Sequence, residues 1–280
     1  MPTEQALAVF TRRVWDEGAK CYRDLPWRNI DDPYQVLVSE VMLQQTQVNR
    51  VLGYWGPFCS LFPTLDALAA ADSASVLERW QGLGYNRRAL ALKRCAEACA
   101  SQYAGLLPQK PDELLALPGI GPCTAAGITA FAYRKPAVYI ETNVRAVFIH
   151  EFFPQEGRVA DKDIAPLVEA TCSRQDPRGW YYALLDYGAH LKQQVANPTR
   201  RSAHYARQSA FEGSRRQKRA ELLRLVLASP GIDAESLYHL LERGEAHAGR
   251  GGLARGDFES LVADMLKEGF FTEQEGAFFA

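Results

Sequence analysis

No stretch of this 280-residue chain stays apolar over the ~20 residues that a bilayer-spanning helix requires, so no membrane association is expected. A basic-then-apolar leader is also missing from its N-terminus, which leads to the expectation of a cytoplasmic protein, here taken as a monomer. Net charge is nearly absent: 32 Lys and Arg stand against 33 Asp and Glu, for a formal charge of -1 and a pI of about 6.5. Overall charge therefore makes no case for an anionic polymer as partner, and any such case must rest on local clustering. The six cysteines form no CxxC, which argues against disulfides and zinc. Cys95 and Cys99 are spaced i,i+4 and read as small buried apolar residues. His150, His190, His204, His239 and His247 are scattered without metal-ligand spacing, so neither a metal site nor a cofactor is expected. Period-two alternation is nearly missing before residue 265, and no internal repeat occurs.

What remains is helical periodicity. Apolar residues recur at three-to-four spacing in Ala6–Trp15, Tyr34–Val48, Asp66–Leu77, Arg88–Tyr103, Cys123–Ala132, Asn143–Phe152, Ile164–Cys172 and Trp180–Leu191. Short connections carrying Pro or Gly separate them, which is an all-α pattern. Composition shifts near residue 192. A basic strap, Asn197–Arg219, holds Arg200, Arg201, Arg207, Arg215, Arg216, Lys218 and Arg219 against one acid, Glu212. It is either a solvated linker or a phosphate-facing band; Tyr205 and Phe211, interleaved with the arginines, favour the second. Helices over Gln217–Leu227, Ala234–Leu241 and Asp257–Lys267 follow, then a β-hairpin turning at Glu275-Gly276. The expected organisation is a helical core over 1–195, the strap over 196–216 and a small winged-helix-like domain over 217–280.

Two acids and a turn carry the chemistry. Glu40 lies in the amphipathic run Ser39-Glu40-Val41-Met42-Leu43-Gln44-Gln45-Thr46-Gln47, and Glu141 in Ile140-Glu141-Thr142-Asn143-Val144. Between them, Leu117-Pro118-Gly119-Ile120-Gly121 reads as a tight turn joining two short helices, Asp112–Ala116 and Pro122–Phe131. Its glycines allow positive φ and bare backbone, and Pro122 fits a first helical turn. The exposed N–H groups of such a helix start suit a phosphate. Cleaving an N-glycosidic bond needs a protonated leaving base and a stabilised sugar cation. A buried glutamate of raised pKa supplies the proton and a second carboxylate supports the cation. Both acids also have ordinary readings: Glu40 as a surface acid on an amphipathic helix, Glu141 as a helix-start acid favoured by the dipole.

The segments Arg23-Asp24-Leu25-Pro26-Trp27-Arg28, Asp32-Pro33-Tyr34, Ser39 to Val48, Gly82-Leu83-Gly84-Tyr85 and Leu117–Gly121 resemble the MutY-type adenine DNA glycosylases of the helix-hairpin-helix base-excision superfamily. The resemblance runs from about residue 7 to 192. It implies an all-α, two-lobed helix-hairpin-helix glycosylase core. It also implies a monofunctional DNA glycosylase of base excision repair whose partner is double-stranded DNA carrying a mismatched or damaged base, adenine foremost. By the same resemblance Glu40 is the general acid, Glu141 the second acid and Asn143 its polar partner. Arg23, Arg28, Cys123 and Tyr182 fall at the base pocket. Gln44, Gln45 and Tyr85 wedge into the base stack. The turn glycines Gly119 and Gly121 would hold a phosphate, and Arg200, Arg201 and Arg207 of the strap, from their clustering and not from the resemblance, are read as further phosphate contacts.

Four positions depart from the family's pattern. Glu141 replaces the usual aspartate, and one extra methylene is about 1.5 Å of reach where placement tolerances are near 0.5 Å. Cys123 stands where bifunctional relatives carry the Schiff-base lysine, which argues against β-lyase chemistry by that route. Tyr182 replaces the Gln or Glu that pairs with adenine and offers a hydroxyl and a stacking face instead. Lys192 stands at the first ligand of the family's four-cysteine iron–sulfur loop, and no cysteine follows Cys172, so that loop cannot hold a cluster. The tail is also short for the family's 8-oxoguanine-sensing NUDIX-like domain. Three alternatives stay open: a glycosylase for another base, a bifunctional glycosylase/lyase, and a non-catalytic winged-helix DNA-binding protein.

Overall fold

The computed structural model describes residues 1–207 and 210–280; residues 208 and 209 of the expected strap lie outside the described residues. In chain order the helices begin with α1 (Glu4–Lys20), α2 (Pro33–Leu43), α3 (Val48–Val51), α4 (Trp55–Leu61), α5 (Leu65–Ala70), α6 (Ser73–Trp80) and α7 (Arg87–Gln102). Then come α8 (Pro111–Leu115), α9 (Pro122–Phe131), α10 (Thr142–Phe152), α11 (Asp161–Thr171) and α12 (Pro177–Gln194). After a 3₁₀ turn at Pro198–Arg201, the chain ends in α13 (Arg215–Ala228), β1 (Ile232–Asp233), α14 (Ala234–His247), α15 (Arg255–Lys267), β2 (Thr272–Gln274) and β3 (Ala277–Phe279).

Contacts divide the chain along lines other than the expected linear domains. The first unit joins Met1–Glu40 to Leu107–Arg207, and the second joins Val41–Leu106 to Gln208–Ala280. The division falls inside α2, directly after Glu40.

In the first unit, α12 packs against both α1 and α10. Phe10, Val147, Phe148, Trp180 and Tyr181 are buried in its core. At Gly188 a Cβ would fall 2.3 Å from the Asn143 carbonyl oxygen, so the missing side chain is what lets α12 reach the start of α10. The 197–203 stretch docks on this unit rather than running free. Val159 N–H donates to Arg201 O at 2.8 Å and Ala203 N–H to Val159 O at 2.7 Å.

In the second unit, Phe58 meets Trp80 edge-on at 5.8 Å, and Leu68, Leu77, Cys95 and Cys99 are buried. The expected helix over 66–77 is two helices, because Asp72 caps a new one by accepting from Ser75 N–H at 2.7 Å. The run expected to stay helical to Val48 stops at Leu43, and Gln45 turns left-handed at φ 54°. The C-terminal part has the order helix, strand, helix, helix, hairpin, with an antiparallel sheet ordered β1-β3-β2. Glu275 and Gly276, at φ 51° and 80°, form the expected hairpin turn. The two-residue β1 carries no periodic signal and was not expected.

Candidate active site

Glu40 is brought to its surroundings by burial of the apolar residues beside it. Val36, Leu37 and Val38 of α2 are buried, which fixes the rotation of the helix. The carboxylate points at α9, where residue 127 is glycine; a Cβ there would lie 2.2 Å from Glu40 Oε2 and 3.0 Å from Tyr139 Cε2. The Tyr139 hydroxyl donates a hydrogen bond to the Glu40 carboxylate. Burial pushes the Glu40 pKa up to about 8, the Glu141 charge adds to the rise, and the Tyr139 bond opposes it. An acid that still holds its proton at neutral pH is the result. Tyr139 itself is held from several sides. Its N–H donates to the Tyr181 hydroxyl at 3.2 Å, and its ring meets Phe131 and Tyr181 edge-on at 5.3 Å each. Burial followed by the charges of Glu40 and Glu141 keeps its phenol protonated.

Glu141 is the N-cap of α10. Its Oε1 accepts from Asn143 N–H at 2.5 Å and from Val144 N–H at 3.2 Å. The longer side chain curls back onto its own helix start, so the ordinary helix-start role and a place beside Glu40 are both real. Asn143 meets Glu141 through its backbone rather than its side chain. Its buried Oδ1 has no hydrogen-bond partner among the described residues. Arg145 pins this corner, with Nε and Nη2 on the Asp161 carboxylate at 2.7 and 2.8 Å and Nη2 on Ile140 O at 3.2 Å.

The turn before α9 has Gly119 at φ 79°, while Gly121 is extended rather than left-handed. Gly121 caps α9 without any side-chain bond, and Pro122 occupies the first turn as expected. Cys123 follows, its Sγ 3.8 Å from Ile140 O. The residue is exposed at the surface, yet the protein packed around its thiol desolvates it and, with the charges of Glu40 and Glu141, pushes it up from its ordinary value.

Asp186 gathers the two arginines. Arg28 donates to both its oxygens at 2.6 and 2.8 Å, and Arg23 donates from Nε at 2.6 Å and from its backbone N–H at 3.1 Å. Asp186 thus acts structurally, holding the Arg23–Arg28 loop against α12. Tyr182 departs from expectation. Its ring stacks on Phe131 at 5.2 Å and 9°, and Arg28 lies 4.5 Å over the ring. With both faces taken, only its edge and hydroxyl remain to meet a ligand. Burial raises that hydroxyl to about 12, and the Asn29 N–H donates to it.

In the second unit, Gln44, Gln45 and Tyr85 line one groove. Gln45 and Tyr85 both adopt left-handed backbone, at φ 54° and 51°, a conformation that costs non-glycine residues about 1–3 kcal/mol and gathers at functional sites. Arg88, buried and unforeseen, holds both loops. Its guanidinium reaches Val41 O, Met42 O and Gln44 O at 2.9, 2.8 and 2.6 Å, and Thr46 Oγ1 and Gly84 O at 2.9 Å each.

Of the strap arginines, Arg200 and Arg207 are exposed. Arg201 is a correction: its guanidinium donates to the carbonyls of Ile149, Phe153 and Glu156, closing the end of α10 instead of facing outward. The chain from Lys192, near the end of α12, onward offers no thiolate to an iron–sulfur cluster. Lys192 offers an amine where a thiolate would be needed, and among the described residues no group of three metal-ligating side chains occurs. No described helix is long and apolar enough to cross a membrane.

Sequence reasoning missed Tyr139, Gly127 and Arg88. Tyr139 left a signal, because an extended Tyr139-Ile140-Glu141 puts the phenol and the carboxylate on one side. Gly127 and Arg88 left none, since what they touch lies far away in the chain.

Residues 38–169, a little under half of the chain, match the family described as HhH-GPD superfamily base excision DNA repair protein. The chain is also similar in sequence to curated adenine DNA glycosylases. It is 47% identical over 134 residues to an adenine DNA glycosylase of Mycolicibacterium smegmatis, covering 48% of this chain and 45% of that protein. To the adenine DNA glycosylase of Mycobacterium tuberculosis it is 37% identical over 174 residues, 61% of this chain and 57% of that one. The chain thus spans about half the length of the curated relatives it matches. A thermostable thymine-DNA glycosylase structure superposes with a TM-score of 0.60 at 24% identity, over 66% of this chain and 87% of that one. A trapped endonuclease III–DNA intermediate gives 0.54 at 18%, over 76% and 93%. These two likenesses speak for the fold alone.

Proposed function

We propose that this protein is a monofunctional DNA glycosylase of base excision repair, hydrolysing the bond between a flipped base and its deoxyribose and leaving an abasic site. One observation carries the reading: Glu40, with its pKa pushed up to about 8, lies among Tyr139, Gly127 and a second carboxylate. Glu40 protonates the purine ring and makes it a leaving group. Glu141 supports the sugar cation; its charge is not neutralised by its capping bonds to two neutral N–H groups. Adenine in a mismatched or damaged pair is the leading substrate, in keeping with the adenine DNA glycosylases among the relatives. Tyr182 would meet that base with its hydroxyl. Gln44, Gln45 and Tyr85 wedge the duplex, and the cost of extruding a nucleotide, a few kcal/mol, is offset by such insertions. The turn at Gly119–Gly121 receives a phosphate. The C-terminal part, in the strand and helix order of a winged helix, serves as a DNA-binding module.

The test is one panel of duplexes carrying mispaired and damaged bases, scored by alkaline strand cleavage, with Glu40→Gln and Glu141→Gln beside the wild type. Release by the wild type and its loss in both variants is expected. Persistent release in either variant reassigns that residue, and silence of the wild type on every duplex sinks the reading.

A second reading, glycosylase with lyase activity, is favoured by Lys192. Burial lowers its amine below the ordinary lysine value, and Glu141 and Arg23 are the charges that act on it. Such an amine could condense with C1′ of the abasic sugar, losing water. Borohydride trapping of an enzyme–DNA adduct, absent in Lys192→Gln, would establish it.

A further inference from the structure

The second unit contains a groove of about 1210 Å³ that the acid site does not use. Small-molecule sites run to ~300–1,000 Å³, so a length of polymer suits it better. Eight arginines against three acids line it. Five of those arginines form ion pairs: Arg87 with Glu268, Arg215 with Asp264, Arg219 with Glu268, Arg224 with Glu221, Arg250 with Glu245. The Arg87, Arg215 and Arg224 side chains are about half or more exposed, at 72, 47 and 51%. Exposed pairs of this kind contribute little to stability and exchange readily for a stronger anion.

A stack stands in the wall. Arg216 lies 5.4 Å over the Tyr85 ring and 5.5 Å over the Phe211 ring, and its Nη1 donates to the Tyr85 hydroxyl at 3.0 Å. The guanidinium is thus held between two aromatic planes. Phe211 is 51% exposed, a large apolar ring left open at the end of the stack. Tyr85 is held in left-handed backbone by a loop that Arg88 clamps, so one side of the stack is rigid. Alternating aromatic and guanidinium planes beside a row of cations are what unstacked bases and their phosphates bind.

We propose that the Tyr85–Arg216–Phe211 stack is a base platform, and that residues 211–250 complete with the 44–50 and 81–88 loops a groove for one DNA strand. Its occupant is the base left unpaired when the target nucleotide leaves the helix, together with its flanking phosphates. Arg216 and Phe211 are then specificity-determining contacts that a helical core alone would lack. The inference rests on the glycosylase reading for the identity of the strand.

The experiment is fluorescence anisotropy of a labelled duplex with one adenine·guanine mismatch, titrated with the full chain over a range of salt. All proteins carry Glu40→Gln so that the duplex stays intact. Phe211→Ala should bind roughly tenfold to a hundredfold more weakly, the range that loss of one base–aromatic stack produces. Arg216→Ala should also lower the salt slope by about one, whereas Arg216→Lys keeps the slope and still loses affinity. Arg12→Ala on α1 is the control and should bind as its parent does. Phe211→Leu and Arg216→Lys keep bulk and charge, so a fold damaged by the alanine variants does not hide the answer. Affinity unchanged in Phe211→Leu and Arg216→Lys overturns the proposal. Base release by the unsubstituted protein is scored separately; its failure sinks the glycosylase reading, while the binding series still reports on the groove.

Discussion

Gly127 and Glu40 are fitted to each other: a single methyl group at position 127 would sit 2.2 Å from the Glu40 carboxylate oxygen. The carboxylate occupies the volume that any other residue's Cβ would fill. Gly127→Ala is therefore expected to displace the acid without removing any functional group. A shift of about 1 Å at a reacting group can cost 10²-fold in rate, and overpacking of this kind costs about 1–3 kcal/mol of stability. Single-turnover base release, read beside thermal melting, checks both. Full activity in Gly127→Ala would show that the carboxylate is not held where it must act.

The raised pKa of Glu40 fixes two pH dependences. As an acid it works only when protonated, so base release should hold below about pH 8 and fall about tenfold per unit above it. For stability the sign is the same. A carboxyl whose folded pKa, about 8, exceeds its ordinary value of 4.5 favours folding most below pH 4.5, and that contribution is lost as pH rises to about 8. Glu40→Gln carries no such charge. It should be inactive, more stable than the wild type at pH 8, and flatter in its stability profile between those values. Denaturant melts of both proteins at several pH values decide it, and parallel profiles would refute the buried acid.

Arg88 holds five oxygen atoms of the loops that carry Gln44, Gln45 and Tyr85. Arg88→Ala takes the donor from Met42 O, at about 1–3 kcal/mol, and leaves Val41 O, Gln44 O and Gly84 O with their single remaining donors, Gln44 N–H, the Thr46 hydroxyl and Trp80 Nε1. Arg88→Lys keeps the charge but cannot span five acceptors. Both variants should melt earlier and bind a mismatched duplex more weakly, the lysine variant retaining more of each. A lysine variant that matched the wild type would mean that charge alone suffices there.

The purified protein is expected to contain no iron and to show no visible absorbance band. Lys192 stands where a thiolate ligand would be required, and no cysteine lies beyond Cys172. Metal analysis that found iron in proportion to protein would refute this expectation and place the ligands elsewhere in the chain.

Much of the fold was legible because its causes are local. Apolar spacing located α1, α7, α10 and α12, and the Glu275-Gly276 turn announced the hairpin. Interruptions were harder to read. Apolar periodicity continues from Asp66 to Leu77, yet Asp72 starts a new helix by capping it, because one side-chain oxygen on an N–H outweighs continued spacing. Motif order put Glu40 and Glu141 into one candidate site, but their neighbourhood came only with the fold.

By itself, then, the sequence located most of the longer helices, named the residues that could carry acid chemistry and showed that no cysteine follows Cys172. Tertiary structure alone decided that Gly127 gives Glu40 its space, that Tyr139 holds its carboxylate, that both faces of Tyr182 are covered and that Arg201 is used internally. The physical reason is range. Helix periodicity, caps and turns depend on residues a few positions apart, whereas a pKa or a ring contact depends on whatever distant chain is packed against the group.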